Sequence, residues 1–426
     1  MKRITALVLT LCFLILCGCE KSLKDYYDGV KDFFSEKTDD FYDKAQNLGG
    51  LISVSKKSSI NADEVVTLKP GTVKPLNSSL CAYNKLNGTQ KNIYSIMLTA
   101  IEAMELRIID ISPYVGSDGF SDAVIAHRAV LCDRPDMFWA PKTFSLLSVE
   151  DGDESYLCFK NYEEKDDTIG FFGVSKSQRQ QMQAQLNSKV DTLLNNARKY
   201  GSAFEKELYF HDYICENTEY DNDSAADLDS ANPNSMTSYG ALIEGKAICE
   251  GYSKAMQLLC LKSGIPCCTV YGEHSGVPHM WNIIDPGDGL YYIDVTFDDS
   301  SSKAVLHNCF NVTKSQISKE RTFDPLFSKD RNYDSSDSFN FFCDDCNNTS
   351  LSFYRRSGAY IDDDYASALA YIYKLNSAGK SQAELINYTS HSLDTVFDRL
   401  TQKARGTVNI ERCYRFESEN IIIVLW

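Results

Sequence analysis

Residues 245–253 read Gly-Lys-Ala-Ile-Cys-Glu-Gly-Tyr-Ser, residues 279–284 read His-Met-Trp-Asn-Ile-Ile, and residues 290–295 read Leu-Tyr-Tyr-Ile-Asp-Val. Tyr252, Ala255, Met256, Leu259 and Cys260 recur at helical spacing, and Gly264 and Pro266 close that helix. Cys249 therefore stands at or just before a helix N-terminus. Unpaired backbone N–H groups and the positive end of the helix dipole lower a thiol's pKa from its usual ~8.5 at such a position. Residues 267–271 and 279–284 read as strands, 285–289 (Asp-Pro-Gly-Asp-Gly) as a turn, and 290–295 as the returning strand. With 285–288 as the loop, His279 lies opposite Asp294, side chains about 5 Å apart on one face. A slip of one residue would part them. The three groups are what thiol acyl transfer uses. An imidazole takes the thiol proton and later protonates the leaving amine, while a carboxylate fixes the ring's tautomer.

Rival groups lie close by. His274 sits among Gly272, Glu273, Ser275 and Gly276 and reads as part of an exposed loop. His211 reads as a partly buried helix residue, and Asp298 and Asp299 as a strand end in solvent. Trp281 either walls the site or fills the core. Cys215, Cys260, Cys267 and Cys268 read as small buried hydrophobes or as partners of one another. Cys343-Asp-Asp-Cys346 is a single C-x-x-C without a second pair nearby, which predicts a local disulfide and no metal site.

Working outward, residues 175–200 predict a long helix with a stripe of Met182, Leu186, Val190, Leu193, Leu194 and Ala197. Residues 204–217 predict a second helix burying Leu208, Tyr209, Tyr213 and Ile214. Residues 221–234 are acidic, but Ala226 and Asn232 stand where a calcium loop needs glycine and glutamate, so a solvated loop is expected. Further upstream, helical spacing runs through 93–108 and 123–131, and Phe138, Trp139, Phe144 and Leu146 suggest strands. Downstream of 326, helices are expected over 364–375 and 385–404, and a buried strand over 420–426. No chemistry is evident there.

Cys249 in A-I-C-E-G-Y-S, His279 in H-M-W-N, Asp294 in Y-I-D-V-T-F-D and the block His307-Asn-Cys-Phe-Asn-Val resemble the transglutaminase-like superfamily over roughly 204–324. The resemblance implies an α+β, papain-like core, with the cysteine on a helix packed against an antiparallel sheet that carries the histidine and aspartate. α/β extensions lie on either side. It implies a thioester on Cys249 formed from a peptide or glutamine amide, resolved by water or by a lysine amine. Hydrolysis is favoured over crosslinking, because water is always present and no acceptor site is visible. The oxyanion hole would take the Cys249 backbone N–H and one upstream donor, with Tyr239 as candidate. No cofactor is implied, and the calcium requirement of animal members has no motif here. A non-catalytic binding or scaffold module on the same fold is the alternative.

The N-terminus sets the location. Lys2 and Arg3 precede an apolar run over 4–16, about 20 Å of helix and too short to span a bilayer. The run ends in Leu16-Cys-Gly-Cys19, which resembles a bacterial lipobox with Cys19 as the lipidated residue. The organisation expected is a signal peptide (1–18), a polar tether (19–76), an N-terminal α/β subdomain (77–175), the transglutaminase-like domain (176–325) and a C-terminal α/β extension (326–426). The chain would sit on the extracytoplasmic face of the cell membrane through Cys19, acting on protein or peptide, including cell-wall peptide. Across 426 residues, 59 acidic against 43 basic residues give a net charge of −16, a field that argues against nucleic acid. Of 15 cysteines, three fall in the signal and twelve in the body. One anchor, one nucleophile and mostly packing residues account for that number.

Overall fold

The computed structural model describes residues 52–426 apart from 58–59, 77–78, 116–118, 150–153, 160–173, 228–230, 301–303, 335–336 and 418. The signal peptide, Cys19 and the tether before residue 52 lie outside the described residues.

An N-terminal sheet has the order β1-β4-β5-β3-β2, with β1 Ile52–Lys57, β2 Val65–Val66, β3 Ile108–Asp110, β4 Phe144–Val149 and β5 Ser155–Cys158. The expected tether therefore ends earlier than 76. β1 pairs in parallel with β4 from Ile52 to Lys57, a long-range partner that composition alone does not reveal. Helices α1 (Gly88–Ala103) and α2 (Gly119–Asp133) pack together beside this sheet. Asn87 and Gln90 form a capping box at the start of α1. At its end Met104 turns left-handed, φ 52°, and Glu105 N–H returns to Ala100 O. The helix expected over 93–108 stops there, and Ile108 opens β3 instead. Phe138 and Trp139 lie in turns rather than strands; both are buried, and Trp139 donates its indole N–H to Ile101 O.

Helices α3 (Lys176–Ala197) and α4 (Ala203–Asn217) each start with a capping box, Ser175 with Gln178 and Ser202 with Glu205. The stripe expected on α3 is buried at Leu186, Val190, Leu193 and Ala197. On α4 the buried face is rotated from the expected one: it comprises Phe204, Glu207, Phe210, His211, Ile214 and Cys215, with Leu208, Tyr209 and Tyr213 only half-buried. The cause is polar. Glu207 accepts from Asn311 and His211 meets Asp298, so two polar side chains are pulled inward by partners far along the chain. The segment after α4 is likewise less solvated than expected: residues 222–226 form a short helix, and Asp221 is buried beneath Ser224 and Ser235 hydroxyls.

Helix α5 (Cys249–Lys262) packs on an antiparallel sheet of order β8-β7-β6-β9, where β6 is Cys267–His274, β7 Val277–Ile284, β8 Tyr291–Ile293 and β9 Arg321–Phe323. The β7–β8 register differs from the expected one. Ile293 pairs with Asn282, where a four-residue loop would have placed it opposite Met280; the loop is two residues longer. A slip of two keeps every side chain on its face, whereas a slip of one would reverse them.

In the C-terminal part, α6 (Ala366–Ser377) lies close to the expected position. The single helix expected over 385–404 is instead a strand, β11 (Gln382–Asn387), followed by α7 (Leu393–Ala404) behind a Ser392 cap. Pairing of β11 with β13 (Ile421–Leu425) overrides local propensity. The sheet order is β10-β11-β13-β12, with β10 Tyr360–Ile361 and β12 Arg412–Phe416. β13 is buried, as 420–426 suggested. The whole is an α+β assembly in which α5 packs on the β8-β7-β6-β9 sheet.

Candidate active site

Cys249 is the first residue of α5, and Ile248 before it offers no side-chain cap. In its first turn the Gly251 and Tyr252 N–H groups are taken by Ile248 O, which leaves those of Cys249 and Glu250 without an intrahelical acceptor and available to an anion beside the thiol. Gly251 allows the helix start to seat deeply. A Cβ there would fall 2.5 Å from Ser235 O and 2.8 Å from the Ala247 Cβ. Glu250, next to the thiol, would oppose a thiolate through its charge. Burial pushes its carboxyl up, but Lys142 Nζ at 2.5 Å and Lys254 Nζ at 2.7 Å outweigh that and hold it near 2 as a paired carboxylate.

His279 comes from β7 and is 9% exposed. Its Nε2 lies 2.8 Å from Asp294 Oδ2. Asp294 is reached differently from the way the hairpin register suggested. β8 ends at Ile293, and Asp294 leaves the ladder to cap the short helix Val295–Asp298, accepting from Phe297 N–H. Burial favours a neutral ring at His279, but the Asp294 charge and hydrogen bond, and then Cys249, raise its pKa to about 9. Cys249 is thus near enough to the ring to favour its charged form. Asp294 is fully buried; burial would raise its carboxyl, yet His279 and Arg321 hold it well below the usual range.

Arg321 escaped the sequence reading. It sits at the start of β9, 4% exposed, with Nε 2.7 Å from Asp294 Oδ2 and its guanidinium 4.4 Å over the Phe297 ring. A basic residue among Lys319, Glu320 and Thr322 reads as surface, and only the sheet pairing carries it inward. Trp281, left open between wall and core, is both. It is fully buried, and its ring stacks on His279 with centroids 5.8 Å apart at 23°. Gly272 makes room for it, since a Cβ there would meet Thr322 O at 2.0 Å and the indole at 2.8 Å.

The remaining candidates fall elsewhere. Tyr239 precedes the π-turn Gly240–Glu244; its hydroxyl donates to Gln185 Oε1 at 2.6 Å and its ring packs on Phe138. That hydroxyl is committed to Gln185. Burial and then the charges of Cys249 and Asp294 push the Tyr220 phenol up. His274 is not in an exposed loop but ends β6, its ring 4.2 Å from Phe297 and 6.3 Å from His279. Burial and then Arg321 lower it to about 3, so it is neutral at ordinary pH. Asp298, expected in solvent, is fully buried against His211 and the Cys309 N–H, and His211 is itself fully buried. Asp299 accepts from the Tyr252 hydroxyl at 2.5 Å. The twelve described cysteines are all free thiols, so the disulfide expected at Cys343 and Cys346 is absent. His211, Asp212 and His307 form the one group among the described residues whose ligand atoms, all within 4.8 Å of one another, could hold a metal ion.

A family model of the transglutaminase-like superfamily matches residues 191–300. No curated protein matches the chain. Among solved structures, a TGase is similar at 22% identity over 38% of this chain and 46% of that one, with a TM-score of 0.27. A candidate cysteine protease from Cytophaga hutchinsonii is similar at 16% identity over 34% and 51%, with a TM-score of 0.23. The matched part spans about half the length of each. The segment that carries Cys249, His279 and Asp294 is a domain of the transglutaminase-like superfamily.

Proposed function

We propose that the protein is a cysteine acyl-transfer enzyme acting on peptide or glutamine amides of proteins and peptides, cell-wall peptide among them. Cys249 attacks the amide carbonyl, His279 carries the proton from thiol to leaving amine, and Asp294 orients the ring. The C–N bond breaks as a thioester forms on Cys249, and water then releases the acid, or a lysine amine a new amide. Hydrolysis is the favoured outcome. The observation that carries this reading is Cys249 at the start of α5 against a ring whose far nitrogen is held by Asp294 at 2.8 Å. The charge balance supports it: an imidazolium is the form that hands a proton to an amine, and Trp281 screens it from water.

Two measurements test the proposal. Iodoacetamide near neutral pH should modify Cys249 before the other thiols and lose that preference in His279→Ala. Casein with and without a labelled amine, against Cys249→Ser, then separates hydrolysis, crosslinking and a binding module without activity. Equal reactivity of all thiols would refute the nucleophile. We further propose that the chain is held on the extracytoplasmic face of the cell membrane through lipidated Cys19; a Cys19→Ser chain that still sediments with membranes would overturn this.

A further inference from the structure

Asp212 Oδ1 is approached by two rings at once: His211 Nδ1 and His307 Nε2 each lie 2.9 Å away. The outer nitrogen of each ring faces another carboxylate. His211 Nε2 is 3.2 Å from Asp298 Oδ2, and His307 Nδ1 is 2.6 Å from Glu384 Oε2. A neutral imidazole has one N–H and one lone pair. If the outer nitrogens donate, two inner lone pairs and Asp212 Oδ1 point at one another, an all-acceptor cluster that needs a cation at its centre. Two ring protons can supply it, and so can one divalent ion.

The cluster is held rigidly. His307 stacks on Phe353 with centroids 3.7 Å apart at 9°, and His211 meets Phe310 edge-on at 5.1 Å. Glu384 is itself fixed by the His307 N–H at 3.0 Å and the Tyr354 hydroxyl at 2.5 Å. Both rings are buried, while the Asp212 side chain is 37% exposed and gives the cluster an opening.

We propose that His211 Nδ1, Asp212 Oδ1 and His307 Nε2 bind one divalent transition metal of the zinc class, with Asp298 and Glu384 orienting the two rings from behind. Bonds of ~2.1 Å at tetrahedral angles place ligand atoms about 3.4 Å apart. The three atoms here, 2.9 Å to at most 4.8 Å from one another, bracket that spacing. Two imidazoles and one carboxylate suit zinc better than calcium. A carboxylate behind each ring is the habitual support of metal-bound histidine. The open side at Asp212 leaves the fourth position to water. The ion joins α4, the segment around residue 307 and, through Glu384, strand β11. It is a clamp between the transglutaminase-like domain and the C-terminal sheet, not part of the thiol chemistry.

The full chain, stripped with a chelator and titrated with Zn²⁺ against a chromophoric zinc indicator, should take up one equivalent. Asp212→Asn and His307→Gln should abolish that uptake, Glu384→Gln should weaken it about 10–100-fold, and Cys249→Ser should keep it. Co²⁺ on the unmutated chain gives an independent readout: d–d bands without thiolate-to-cobalt charge transfer. Absence of stoichiometric uptake, uptake undiminished in both ligand variants, or a thiolate charge-transfer band would overturn the proposal. None of these readouts uses activity, so they stand apart from the fate of the enzymatic reading.

Discussion

Replacing Asp294 by asparagine isolates the electrostatics of the site, because the substitution keeps shape and removes one charge. Asp294 is the main group raising His279, against a burial effect of opposite sign. The interval from the ordinary 6.5 to about 9 corresponds to about 3 kcal/mol in favour of the imidazolium. In Asp294→Asn burial dominates, and the ring should titrate below 6.5. Because the folded value is raised, the stability it contributes is fully present below pH 6.5 and lost as pH rises through about 9. Wild type and variant should therefore differ most in acid and converge in base, apart from a constant cost for the stranded Arg321. The sequence has six histidines, few enough for ¹³Cε1-histidine NMR, with His279→Ala identifying the resonance. Cys249 is a smaller influence in the same direction, so Cys249→Ser should lower the ring's pKa without bringing it to 6.5. A ring that still titrates near 9 in Asp294→Asn would refute the account.

Arg321→Met leaves Asp294 with one cation in a dry site and should cost about 3–5 kcal/mol, read as a lower melting temperature; an unchanged Tm would show that the pair is dispensable. Gly272→Ala forces a methyl into Thr322 O and the Trp281 ring, with an expected loss of about 1–3 kcal/mol and altered tryptophan fluorescence. Unaltered emission would mean that the strands separate freely. His274→Gln should keep the wild-type rate of Cys249 alkylation at neutral pH, because the ring is already neutral. A loss as large as in His279→Ala would make His274 the base.

The helix that begins at Cys249, the strands at 267 and 279 and the turn at 285 were legible in the sequence, because local spacing and breakers determine them. Elements decided by distant partners were not. Arg321 reads as surface until β9 pairs with β6. His211 reads as only partly buried, and it and Glu207 go fully inside because Asp298 and Asn311, far along the chain, pair with them. The 385–404 stretch reads as one helix until β13 pairs with 382–386 and draws its first residues into a strand. The His279–Asp294 contact was anticipated from a register that turned out two residues off. It forms because parity preserved the face and Asp294 leaves the ladder at the right height.

The lysine beside the nucleophile has an implication for how this chain can be divided. Lys142, which neutralises Glu250, belongs to the N-terminal segment, as do Cys132, whose carbonyl accepts from Gln257 of α5, and Pro135, whose carbonyl accepts from Ser238. Any boundary drawn near residue 176 cuts all three links. The N-terminal half and the thiol-bearing half are therefore not interchangeable cassettes. A chimera joined there would bring a foreign surface to the first turn of α5, and Glu250, next to Cys249, would lose one of the two cations that balance it. A truncation or graft that keeps the first turn of α5 intact therefore has to start well before its chemistry.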